Sequence, residues 1–158
     1  MALAITSAAF THNGAIPKRY TCEGADVSPP LSWSGEPAGT KSFALIVDDP
    51  DAPDPSAPKT TWVHLLVFNM RAEASAIAED RTEHGLPSGA REGINDWNRV
   101  EYGGPCPPIG RHRYFHKLYA LDTMLADITR PTKTQLLHAM QGHVLGEAQL
   151  VCTYQKGR

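Results

Sequence analysis

Three runs of apolar residues dominate the pattern along the chain. Ser42 to Val47 (SFALIV) is apolar enough to be buried on both faces and predicts a strand. Thr61 to Asn69 (TWVHLLVFN) predicts a second strand, with Trp62 and His64 on one face as i and i+2. Arg113 to Leu121 predicts a third, built from aromatic and aliphatic residues that favour a pleated surface. Two weaker alternations flank them. Ala2 to Phe10 reads as an edge strand, and Glu147 to Tyr154 as a final strand with Ala148, Leu150, Cys152 and Tyr154 on one face. One stretch follows the helical period. Thr132 to Leu145 has Thr132 and Gln135 placed for a capping box, Gly146 for the C′ position, and Leu136, Leu137, Met140 and Val144 as its apolar stripe.

The segments between these runs read as turns and loops. His12 to Gly14 is a turn, and Ile16 to Trp33 is mostly irregular, broken by Gly24, Pro29 and Pro30. Asp51 to Lys59 carries three prolines and is read as loop. Arg71 to Trp97 is a long polar excursion with one short turn near Ala72 to Ala78, and loops of such length are usually functional.

The bulk numbers narrow the classes. A length of 158 residues predicts one domain spanning 1–158, and thirteen Pro with thirteen Gly fit a mainly β fold with many turns. A net charge of -2 argues against nucleic acid as the main ligand. No apolar run approaches the roughly 20 residues of a membrane-spanning helix, and MALAITSAAF lacks the basic start of an export signal. The expected location is the cytoplasm. The odd cysteine count (Cys22, Cys106, Cys152) favours reduced thiols, with a Cys22–Cys106 disulfide left open because both lie in turn-rich loops.

Candidate chemistry gathers at strand ends. Tyr102 to Asp122 begins as a Gly- and Pro-rich loop and ends as a strand, with His112, Tyr114 and His116 on one face. His116 lies about 6.6 Å beyond His112 by strand rise and is read as structural. His84, His138 and His143 are also read as structural. Asp48-Asp49-Pro50-Asp51 closes the first strong strand, and Trp62-Val63-His64 opens the second. If these strands are neighbours, their imidazoles and phenol offer N–H and O–H donors suited to an oxyanion such as phosphate. An aspartate then belongs behind a histidine, where it orients the ring, and not against the anion. No nucleophile-elbow, zincin, P-loop or dinucleotide fingerprint is present, and no cofactor is expected. Asn95-Asp96-Trp97 reads as one more turn.

Ser28-Pro29-Pro30-Leu31-Ser32-Trp33, Asp49-Pro50-Asp51-Ala52-Pro53, Trp62-Val63-His64, Gly103-Gly104-Pro105-Cys106-Pro107-Pro108 and His112-Arg113-Tyr114 occur in that order. Together they resemble the phosphatidylethanolamine-binding protein (PEBP) family, in its bacterial Raf kinase inhibitor-like branch. The resemblance runs over nearly the whole chain. It implies a PEBP-like fold, in which a large antiparallel sheet packs with a smaller second sheet and helices are few. It implies a soluble, non-enzymatic binding protein whose pocket takes phosphate-like anions or phospholipid head groups. The pocket residues carried over are Asp49, Asp51, Trp62, His64, Pro108, His112 and Tyr114, with the Ala52–Pro53 bond cis. A kinase or protease partner and a homodimer belong to the same expectation. The alternative is a hydrolase in which His64, His112 and an aspartate hold zinc or act as general base and acid. Two departures stand out. Arg111 stands where a proline is frequent and adds a cation beside the pocket. The chain also ends at Arg158, without the C-terminal helix of eukaryotic members, which implies a more open site.

Overall fold

A computed structural model describes residues 2–80, 86–126 and 128–157. His84 lies outside them. The fold is mainly β. In chain order the elements are β1 (Ala4–Thr6), β2 (Gly14–Ala15), a 3-10 turn (Lys18–Tyr20), β3 (Leu31–Ser34), β4 (Ser42–Ala52) and β5 (Thr60–Arg71). They continue with β6 (Ala76–Ile77), β7 (Arg91–Glu92), β8 (His112–Leu121), α1 (Lys133–Met140) and β9 (Val144–Tyr154). A six-stranded sheet has the order β2-β9-β8-β4-β5-β7, and a three-stranded sheet the order β1-β3-β6. The large sheet is antiparallel except at β2, which runs parallel to β9.

The three strong apolar runs are its centre. β4 pairs with β5 on one side and β8 on the other. Both faces of β4 are covered, which explains its unbroken apolar run. Phe43, Leu45 and Val47 face the small sheet, in a core with Trp33, Leu31, Ile5, Leu118 and Cys152. Ala44 and Ile46 face the other way, in a second core with Phe68, Leu121, Leu136 and Met140 that α1 closes. Each of the larger side chains, such as Phe43, Leu45, Ile46 and Val47, contributes roughly 1.5–3 kcal/mol by leaving water.

Several sequence expectations change here. The region from Ile16 to Trp33 is not irregular to its end, because Leu31 to Ser34 forms the middle strand of the small sheet. The excursion from Arg71 is stitched down at two points. Ala76–Ile77 pairs with β3, and Arg91–Glu92 pairs with β5. The helix is shorter than predicted. Thr132 and Gln135 do form the capping box, but α1 ends at Met140. Gly142 then adopts φ 85°, a left-handed conformation that side chains resist, and turns the chain directly into β9. Val144 therefore pairs with Leu121 in the sheet. The favoured reading of reduced thiols is overturned as well. Cys22 and Cys106 form a disulfide, and Cys152 is the free, buried cysteine. No helix among the described residues is long and apolar enough to cross a membrane.

Candidate functional site

Antiparallel pairing puts the C-terminal end of β4 beside the N-terminal ends of β5 and β8. In that register Asp49 lies opposite Trp62, and Asp48 opposite Phe115. β4 departs from regular pairing between Val47 and Asp48 and again between Asp49 and Ala52. Such bulges re-aim side chains at sheet ends. Asp48 turns toward the helix side, where Lys117 and Lys133 meet its Oδ2 at 3.1 and 2.7 Å. Asp49 turns toward a cavity of about 350 Å³.

The cavity is lined by Asp49, Trp62, His64, His112 and Tyr114, with Pro53, Pro107 and Pro108 in the walls and Ala52, Trp97 and Cys106 completing it. Six of the seven residues singled out from the sequence line it. The seventh, Asp51, sits behind it. Asp51 accepts from the Arg113 main-chain N–H at 2.8 Å and from its guanidinium at 2.9 and 3.0 Å. The Arg113 hydrogen bond holds the Asp51 carboxyl below its ordinary range, against the opposing effect of burial. Arg111 does not line the cavity; its Nη1 lies 3.3 Å from the Thr153 hydroxyl. The Ala52–Pro53 bond is cis.

His112 is wholly buried. Its Nδ1 is 2.6 Å from Asp49 Oδ2, while its Nε2 is 2.8 Å from the Ile109 carbonyl and 3.1 Å from the Pro53 carbonyl. Both nitrogens face acceptors, so each contact is a hydrogen bond when that nitrogen carries a proton. The other Asp49 oxygen accepts from the Asp51 N–H at 2.7 Å. Asp49 thus stands behind the histidine, with both oxygens occupied.

His64 is held differently. Its Nδ1 lies 2.7 Å from the Gly103 carbonyl and must donate, since a carbonyl only accepts. Burial pushes this ring below the ordinary imidazole value, despite the Gly103 hydrogen bond and the charges of Asp49, Asp48 and Asp26. Tyr114 stacks 5.3 Å from it, edge to face. The Tyr114 hydroxyl is buried and has no hydrogen-bond partner among the described residues. Desolvation raises its pKa, so the phenol keeps its proton. His116 sits in the core instead, with its Nδ1 3.3 Å from the Leu150 carbonyl and its ring against Phe10.

Trp97 is the lining residue that sequence reasoning missed. The buried Asn95 builds the turn that carries it. Asn95 Oδ1 accepts from the N–H groups of Trp97 and Arg99, and its amide donates to the carbonyls of His64 and Glu101. Asp96 accepts from the Val63 N–H at 2.7 Å. The indole comes to rest edge-on against His64 and Trp62, at 5.0 and 5.7 Å. It also packs on Gly103, where a Cβ would come within 2.3 Å of the indole ring. The signal in the sequence is an Asn-Asp pair ahead of an aromatic residue, which is turn chemistry that also anchors. The disulfide ties Cys106 in the cavity wall to Cys22, and the Cys22 N–H donates to the Pro105 carbonyl at 3.1 Å. Among the described residues no group of three or more His, Cys, Asp or Glu side chains is arranged to hold a metal ion.

Comparison with known proteins matches residues 6–155 to the family model described as phosphatidylethanolamine-binding protein. A UPF0098 protein of Methanothermobacter thermautotrophicus is 49% identical over 150 residues, which cover 94% of this chain and 96% of the relative. The crystal structure of a putative PEBP homologue, CT736 from Chlamydia trachomatis, superposes with a TM-score of 0.90 at 42% identity, covering 99% of both chains. YbcL of E. coli, described as a new member of the mammalian PEBP family, superposes with a TM-score of 0.88 at 32% identity, over 99% of this chain and 100% of that one. With its cavity at the mouths of β4, β5 and β8, this chain belongs to the phosphatidylethanolamine-binding protein family.

Proposed function

We propose that this chain is a soluble, non-catalytic binding protein whose cavity takes phosphate-like anions or phosphorylated head groups. One observation carries the reading. The Tyr114 hydroxyl is a protonated donor, buried at the cavity and without a partner among the described residues. A buried donor of this kind is costly until something accepts from it, and an oxyanion oxygen does so well. The arrangement of Asp49 supports the same reading. Its two oxygens are taken by His112 and the Asp51 N–H, so the carboxylate is engaged within the protein and is not free to activate a water. The ligand set comprises Asp49, Trp62, His64, Pro108, His112 and Tyr114, with Asp51 acting from behind through Arg113.

Trp97 and Ile109 are exposed near the cavity and support a rim that meets a larger partner, a kinase or protease among them. The test of the ligand reading is intrinsic fluorescence. Trp62 and Trp97 both line the cavity, so inorganic phosphate should change their emission saturably. A Trp62→Phe, Trp97→Phe double variant should lose that response. Emission that stays constant on adding phosphate contradicts the reading.

A further inference from the structure

Resting on that reading of the cavity, we propose that it takes a phosphomonoester group in its singly protonated form, with His64 selecting for it as a hydrogen-bond acceptor. The tautomer of His64 is set by its partner. The Gly103 carbonyl, 2.7 Å from Nδ1, fixes the proton there and leaves Nε2 of the neutral ring with its lone pair. Beside it, the Tyr114 hydroxyl has a proton to give. The two rings lie 5.3 Å apart, edge to face, and both line the cavity. An occupant therefore meets one acceptor and one donor.

A monoprotonated phosphate matches that pair. Its P–OH donates to His64 Nε2, and a charged oxygen accepts from Tyr114. A phosphodiester carries the same single charge but has no proton, so it sets an oxygen against the Nε2 lone pair. A fully ionised monoester has the same fault and a second negative charge. No lysine or arginine lines the cavity among the described residues to meet that charge.

Other groups around His64 do not change its role. From β4, Asp49 faces it with both oxygens engaged, and Asp48 acts from further off. Asp26, in the loop before β3, also favours a charged ring, while His116 on β8 opposes one. Tyr114, His112 and the Trp97 edge complete its surroundings. Burial outweighs these carboxylates and favours the neutral ring, the form that accepts from a P–OH once Gly103 holds the Nδ1 proton.

The experiment is calorimetric titration of the full chain with methyl phosphate and with dimethyl phosphate, at about pH 5.5 and about pH 8, either side of a monoester's second ionisation near 6. At the lower pH both ligands are largely monoanions that differ by one methyl, and either is small for a cavity of about 350 Å³. Methyl phosphate should bind there roughly 10- to 100-fold more tightly than dimethyl phosphate, as expected when a buried acceptor is left unpaired. Its affinity should fall roughly tenfold per pH unit above its second ionisation. A His64→Gln variant, whose amide also donates, should narrow the gap between the two ligands. Equal binding of the two ligands, or methyl phosphate binding as tightly at pH 8, overturns the selection and leaves anion binding standing. Failure of both ligands to bind at either pH overturns both. A folded His64→Gln protein that discriminates as before removes His64 from the role; if it does not fold, the wild-type comparison decides.

Discussion

His112 Nδ1 lies 2.6 Å from Asp49 Oδ2, and both side chains are almost completely withdrawn from solvent. The pair joins the start of β8 to the bulged end of β4 and so sets the shape of the cavity floor. Removing one member of a buried pair strands the other, which typically costs about 3–5 kcal/mol. Asp49→Ala should lower the unfolding free energy by that order, read as a lower urea midpoint, and abolish phosphate binding. Asp49→Asn should lose less stability, because its side-chain oxygen still accepts from His112. An Asp49→Ala protein with an unchanged midpoint contradicts this role.

Acid stability should report His116. Burial pushes its pKa down to about 4, from an ordinary value of 6.5. The folded state holds the ring neutral while the unfolded chain protonates readily. The stabilising contribution is therefore full above about pH 6.5 and is lost as pH falls from there toward 4. The loss is on the order of 3 kcal/mol, taking about 1.4 kcal/mol per unit. Urea unfolding at several pH values should show this decline, and His116→Asn should flatten it. An equal decline in the variant assigns the effect to other groups, of which the buried His64 is the first.

Gly103→Ala tests the Trp97 wall. The new Cβ would meet the indole at 2.3 Å and push it off His64 and Trp62. Overpacking of this kind costs about 1–3 kcal/mol. The tryptophan emission should shift toward the solvent-exposed spectrum, and phosphate affinity should drop. Unchanged emission would show that the wall accommodates the methyl group.

The disulfide closes a loop between residues separated by 84 positions. A cross-link over that length stabilises by about 4 kcal/mol through the unfolded state. Reduction, or Cys22→Ser, should lower the unfolding free energy by that order. Because Cys106 stands in the cavity wall, phosphate affinity should fall too. Identical denaturation curves with and without reductant would show the bond to be inconsequential.

The central sheet was legible because long, doubly buried strands advertise themselves as apolar runs. Ser42, Thr61 and Arg113 each fall within one residue of the start of β4, β5 and β8. The small sheet was not legible, since β6 is two residues long and β3 four, and tertiary pairing rather than local pattern makes them strands. The helix was extended too far because Gly146 looked like its stop, whereas Gly142 supplies it. In the site, alternation along Tyr102 to Asp122 put His112, Tyr114 and His116 on one face, and strand rise set the structural His116 apart from the other two. It did not show that Asp51 would turn to Arg113, because that depends on the bulge after Asp49. Trp97 was hidden in a segment whose course is set by Asn95 bonding both to the nearby Glu101 carbonyl and to the His64 carbonyl on β5.

Calorimetric titration of inorganic phosphate into the wild-type chain and into Tyr114→Phe shows whether the cavity is an anion site built on the Tyr114 hydroxyl. The substitution removes one oxygen that has no partner among the described residues, so folding should be unaffected or slightly improved. Phosphate should bind the wild type saturably at a single site, and the variant roughly tenfold or more weakly. A wild-type chain that takes up no phosphate, or a variant that binds it equally well, would contradict it.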